Sequence, residues 1–110
     1  MRKRLIPCKN VREKFLLTYE LEGCQKAVNF LTRYYGIRRM RIVLDGRRVG
    51  NGDVACYENN RAYFTKRGLN KHYVLHELYH HIAYVKGWDM SVRKEEREAN
   101  GFVREFVKRA

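Results

Sequence analysis

The sequence predicts an α+β domain in which helical segments flank a small three-stranded sheet. Three observations predict it. Residues 23 to 35 and 70 to 86 carry apolar residues at three- and four-residue intervals between capping residues. Three short β-branched or aromatic runs, bounded by turn residues, lie between them. A last amphipathic run closes the chain. At 110 residues, 1–110 reads as one domain with a single modest core.

Taken in order, residues 11 to 22, "VREKFLLTYELE", carry Phe15, Leu16, Leu17, Tyr19 and Leu21, a pattern that suits either a strand or an upstream helix. "GCQKAVNFLTRYY" places Cys24, Ala27, Val28, Leu31 and Tyr34 or Tyr35 on one helix face, and Gly36 is its stop. "MRIVLD" reads as a strand ending in Asp-Gly. "DVACYE" and "RAYFTK" read as two strands joined at Asn59-Asn60, since asparagine tolerates the positive φ of a tight hairpin turn. The glycine-rich "VGNGD" at residues 49 to 53 lacks the lysine, spacing and following helix of a phosphate loop and reads as a turn. Asn70 caps a helix running to about Val85 or Lys86, with Gly87 just past its end. Ser91 caps a final helix on which Val92, Ala99, Val103, Phe106 and Val107 share a face.

Composition narrows the classes. Apolar residues at 45% and charged residues at 33%, with one proline, describe a folded chain rather than a disordered one. No run approaches the roughly 20 apolar residues of a membrane span, and "MRKRLIPCKN" is too short in apolar residues for a secretory signal, so a cytoplasmic location is expected. Cys8, Cys24 and Cys56 form no CxxC pair and read as free thiols. The net charge of +12 is spread along the whole chain. Such a surface attracts nucleic acid or other polyanions weakly and without naming one, and a solvated basic face accounts for it equally.

The chemistry concentrates in "VLHELYHHIAYVKGW", where His76-Glu77-Leu78-Tyr79-His80 is an HExxH sequence. On a helix, His76 and His80 stand roughly 40° apart on adjacent turns, so both imidazoles can meet one ion. Glu77 lies about 100° round from His76, placed to reach a water on that ion rather than the ion itself. Leu75, Leu78, Ile82 and Val85 face the other way. A catalytic zinc takes three protein ligands and leaves one position open. No histidine follows His81, so the third ligand is a carboxylate. Asp89 lies in the connecting turn, Glu105 is late in the last helix, and Glu98 falls on its outward side. Glu95 and Glu96 flank the apolar row. Glu96, with Asn100 one turn on to orient it, is the choice, and Glu95 is the alternative.

"HELYHH" followed by "EREANGFV" resembles the gluzincin metallopeptidases, whose active-site helix is followed by a glutamate helix with an E-x-x-A-[N/D] pattern. The likeness covers roughly residues 54 to 107. It extends to the minimal single-domain gluzincins and to the ImmA/IrrE-type peptidases, and Tyr79 stands where the latter usually carry glycine, which makes the minimal type the nearer. The resemblance implies a minimal zincin-like fold with an N-terminal helix, a three-stranded sheet, an active-site helix and a C-terminal glutamate helix. It implies one zinc ion on His76, His80 and Glu96, Glu77 as general base, Asn100 behind the ligands, and peptide or protein substrates. It also implies that the strand around Ala62 to Thr65 is a sheet edge able to pair with an extended peptide. Tyr73, Tyr84 and Tyr63 are the candidate donors to the oxyanion of peptide hydrolysis. His72, a turn before His76, reads as an exposed residue near the helix start. The tails "MRKR" and "VKRA" are expected to be able to fold over the cleft and hold the protein latent. The competing class is a basic nucleic-acid-associated protein with a non-catalytic zinc site, in which Glu77 would have no use.

Overall fold

A computed structural model of the chain describes residues 5–108. Its elements run α1 (Lys9–Glu22), α2 (Cys24–Tyr35), β1 (Arg41–Leu44), a 3-10 turn (Gly46–Arg48), β2 (Ala55–Glu58), β3 (Arg61–Phe64), α3 (Lys71–Lys86) and α4 (Val92–Lys108). The α+β class holds. Where one N-terminal helix was expected there are two, because residues 11 to 22 are helical: Phe15 is fully buried and its ring meets that of Phe106 edge-on at 5.4 Å. That long-range contact is one that the local pattern does not reveal.

The sheet has the order β1-β3-β2, with β1 parallel and β2 antiparallel to β3. The β2–β3 turn is the expected hairpin, Asn59 and Asn60 taking φ of 48° and 69°. The expectation that β3 is an edge is overturned. Since β1 pairs with β3 rather than with β2, the chain passes from one side of the sheet to the other through residues 45 to 54 and leaves β3 in the middle. The edges are β1 and β2, and they differ. On β1, Gln25 from α2 accepts the Ile42 N–H (2.8 Å) and donates to the Met40 carbonyl (3.0 Å). On β2, the Thr65 N–H donates to the Val54 carbonyl (3.0 Å), so in antiparallel alternation the main-chain groups of Ala55 and Tyr57 point away from β3.

Helix α3 starts where sequence places it: the Asn70 side chain accepts from the N–H groups of His72 (3.0 Å) and Tyr73 (3.1 Å). It stops at Gly87, left-handed at φ 66°, where Trp88 donates back to the Ala83 carbonyl at 3.0 Å. Just before it, Gly68 passes so close to β2 that a Cβ there would stand 2.0 Å from the Val54 carbonyl oxygen, a contact that seats the helix start against the strand. Ser91 caps α4 through the Lys94 N–H (3.2 Å). The core joins α2, β3, α3 and α4 through Leu31, Phe64, Leu75, Leu78, Ile82 and Phe106. Val92 is not on the buried face of α4, being 81% exposed at the first turn, and Phe102 takes the buried place instead. No helix among the described residues is long and apolar enough to cross a membrane. Of the two tails expected to close over the cleft, residues 1–4 and 109–110 lie outside the described residues, and 107–108 continue α4.

Candidate metal centre

Helix α3 presents His76 and His80 to α4 from adjacent turns, their Nε2 atoms 3.3 Å apart. Glu96 of α4 meets both, one carboxylate oxygen 3.1 Å from His76 Nε2 and the other 2.6 Å from His80 Nε2. The ligand atoms of the three residues lie within 4.8 Å of one another, so His76, His80 and Glu96 could hold a metal ion. Two imidazole nitrogens and one carboxylate oxygen are a donor set that zinc accepts. Its bonds of about 2.0–2.2 Å, set tetrahedrally, space the donors about 3.3–3.6 Å apart; the two imidazole nitrogens stand at 3.3 Å, while the Glu96 oxygens are closer to them, at 3.1 and 2.6 Å.

The alternatives at the third ligand separate in space. Glu95 lies behind His80, its carboxylate 2.5 Å from Nδ1, where it accepts that N–H and turns Nε2 toward Glu96. Asn100, expected behind the ligands, lines the same cavity beside Glu96 and His76. Burial, and after it the neighbouring His80, hold the His76 imidazole below its ordinary range, against the opposing pull of Glu96 and Asn100. Glu98 is not on the outward side. Its carboxylate accepts from the hydroxyl of Tyr79, whose ring packs between Trp88 and Phe102. Tyr79 therefore fills the seam between α3 and α4 and brings the two ligand-bearing helices together.

A cavity of about 540 Å³ opens onto these groups. Its walls are Tyr73, His76, Glu77 and His80 from α3, Glu95, Glu96 and Asn100 from α4, and residues 53 to 57, which include β2 up to Tyr57. Glu77, 5% exposed, carries a carboxyl pushed up to about 7 by burial first and by the charges of Glu96 and Asp53 in smaller part, with His80 opposing. Of the three tyrosines expected to reach the cleft only Tyr73 lines it. Tyr84 turns aside to meet the Tyr57 ring at 5.9 Å, and Tyr63 is buried in the central strand beneath the Arg48 guanidinium, 4.7 Å from its ring centroid. His72 is exposed, as expected.

One functional neighbour escaped sequence reasoning. Tyr57 lines the cavity, and its hydroxyl is committed to His81 Nδ1 (2.7 Å) and the Asn60 N–H (3.0 Å). Only the position of "CYE" on the strand beside α3 could have pointed to it, and strand order is not a local property. The thiols of Cys8, Cys24 and Cys56 are free. Compared with protein-family models, with curated proteins and with solved structures, the chain gives no match.

Proposed function

We propose that the chain is a zinc-dependent metalloendopeptidase, with His76, His80 and Glu96 holding the ion and Glu77 acting as the base. The observation that carries this reading is the convergence of two imidazole Nε2 atoms and a carboxylate on one wall of a cavity that also holds the buried carboxyl of Glu77. A purely structural zinc site is closed by a fourth protein ligand and has no need of a base beside it, whereas among the described residues the metal group has three members.

When bound, zinc supplies Lewis acidity, polarising a peptide carbonyl and acidifying water at neutral pH. The protein's own groups do the rest. An extended peptide pairs with the outward main-chain groups of Ala55 and Tyr57 on the β2 edge, which fixes the scissile bond along the cavity. Glu77 takes the proton of the attacking water on a carboxylate oxygen and delivers it to the departing amine nitrogen, a shuttle suited to a carboxyl buried on the cavity wall. Tyr73, on the cavity wall with an exposed hydroxyl-bearing ring, donates to the oxyanion as the carbonyl turns tetrahedral. Glu95 and Asn100 hold the two imidazoles in place.

The test is metal analysis beside peptide hydrolysis. His76→Ala and Glu96→Ala should each lose the zinc that purified native protein carries, and Glu77→Gln should keep zinc while losing cleavage of an unstructured protein such as casein. A zinc-replete native protein that cleaves no peptide, or a Glu77→Gln variant as active as the native chain, overturns the reading.

A further inference from the structure

The cavity and the rest of the surface carry opposite charge. The chain has 24 Lys and Arg against 12 Asp and Glu. The cavity nevertheless has four carboxylates in its lining, Asp53, Glu77, Glu95 and Glu96, and no Lys or Arg. Three of the four have assigned places: Glu96 faces both imidazoles, Glu95 backs His80, and Glu77 lies buried beside them. Asp53 is different. It is exposed at the cavity wall immediately before β2, and among the described residues its carboxylate meets no cation and no hydrogen-bond donor. Its main chain is fixed by the turn. The Asp53 N–H donates to the Gly50 carbonyl (3.0 Å), and Oδ2 folds back over the turn, 3.3 Å from where a Cβ on Gly50 would stand.

The adjoining strand edge makes this carboxylate a directional feature rather than a diffuse charge. A peptide that pairs with Ala55 and Tyr57 runs along β2, and Asp53 lies two residues before Ala55, beside one end of that path. Side chains of a paired strand alternate between its faces, so only certain positions of the peptide can turn a side chain toward the cavity and Asp53. An ammonium or guanidinium placed there gains a charge-assisted hydrogen bond, and a carboxylate there meets like charge.

We propose that Asp53 is a specificity residue of the cleft, which takes extended peptides with a lysine or arginine seated against the Asp53 carboxylate; this rests on the peptidase reading above. The distinction it draws is positional. The +12 surface repels a cationic peptide at long range, an effect that salt screens beyond about 10 Å at about 0.1 M, whereas a contact pair inside the cavity is screened less.

The test uses labelled octapeptides of Ala, Val and Ser that are identical except at one position, which is Lys, norleucine or Glu and is moved along the peptide. Their binding to zinc-loaded Glu77→Gln protein is read by fluorescence anisotropy, and their cleavage by native protein is read in parallel. At one position the Lys peptide should bind about tenfold more tightly than the Glu peptide. Asp53→Asn should level the two, and Asp53→Lys should reverse them. Circular dichroism of the variants should match the native chain, since the changed side chain is exposed. Equal binding of the Lys and Glu peptides, a preference that survives Asp53→Asn, or no binding of any peptide overturns the proposal. Selective binding without cleavage by native protein would remove the peptidase reading and leave Asp53 as a binding determinant. Cleavage without selectivity would do the opposite.

Discussion

The Tyr57 hydroxyl lies 2.7 Å from Nδ1 of His81, and the other nitrogen of that ring, Nε2, lies 2.7 Å from the Arg38 carbonyl. The Tyr57 oxygen also accepts the Asn60 N–H at 3.0 Å. The set has one consistent arrangement: Tyr57 donates to Nδ1, and Nε2 carries the proton and donates to Arg38. Neighbouring histidines thus have different duties. His80 faces Glu96, while the fully buried His81 ties α3 to β2 and to the segment before β1.

Truncating one partner shows what this tie is worth. Tyr57→Phe removes the hydroxyl and leaves both the buried Nδ1 and the Asn60 N–H without a partner, each at about 1–3 kcal/mol. The urea midpoint should fall with an unchanged slope, and zinc content should stay near native because the metal ligands are untouched. A midpoint equal to native would show that the bridge contributes nothing.

The same histidine makes stability depend on pH. Burial, foremost, holds the His81 imidazole below its ordinary value, so the folded chain keeps it neutral where the unfolded chain, near about 6.5, already takes a proton. The unfolded state therefore binds more protons, and stability falls as pH drops below about 6.5, by at most about 1.4 kcal/mol per pH unit for this one group. Above that pH its contribution is fully present. Urea unfolding in excess chelator should show native protein losing more stability between about pH 7.5 and about pH 5 than His81→Gln, which starts less stable and has a flatter profile. Parallel profiles would contradict this account.

What could be read from the sequence was local. The Asn70 cap, the Gly87 stop, the Asn59-Asn60 turn and the spacing of His76 and His80 each depend on residues within one turn of one another, and each appears as expected. What was left open or read wrongly depends on packing across the chain. Leu17 and Leu21 are 59% and 74% exposed, so the apolar pattern of α1 covers both faces and blurs its period. The central place of β3 follows from its pairing with β1 in one direction and β2 in the other, which no local pattern encodes. Glu98 seemed outward because a helical wheel does not show that Tyr79 reaches across from α3.

The blocked edge of β1 gives a third expectation. Gln25 contacts the strand as a neighbouring strand would, with one bond accepted from Ile42 and one donated to Met40, and so covers an edge otherwise open to a second chain. Gln25→Ala frees both groups at a cost of about 0.5–1.5 kcal/mol for each bond. Size-exclusion profiles at rising concentration should then show association that the native chain lacks. Glu58→Ala, on the exposed rim of β2, should not produce it. A monomeric Gln25→Ala protein at every concentration would mean that the edge needs no cover.

Metal removal is the last expectation, and it follows from where the ligands stand. His76 and His80 belong to α3 and Glu96 to α4, so an ion bound by all three joins the helices and favours the folded state by mass action, about 2.7 kcal/mol at a hundredfold excess over Kd. Zinc should therefore raise the melting temperature of native protein, and a chelator should reverse the rise. The two adjacent glutamates should differ in degree. Glu96→Ala removes a donor and should abolish the zinc-induced shift. Glu95→Ala leaves all three donors but releases the Nδ1 side of His80, and should weaken zinc by about 10–100-fold, with the shift recovered at higher zinc. If Glu95→Ala abolished the shift at every zinc concentration while Glu96→Ala kept it, the carboxylate that binds the ion would be Glu95, and the assignment made from the geometry of the His80 ring would be reversed.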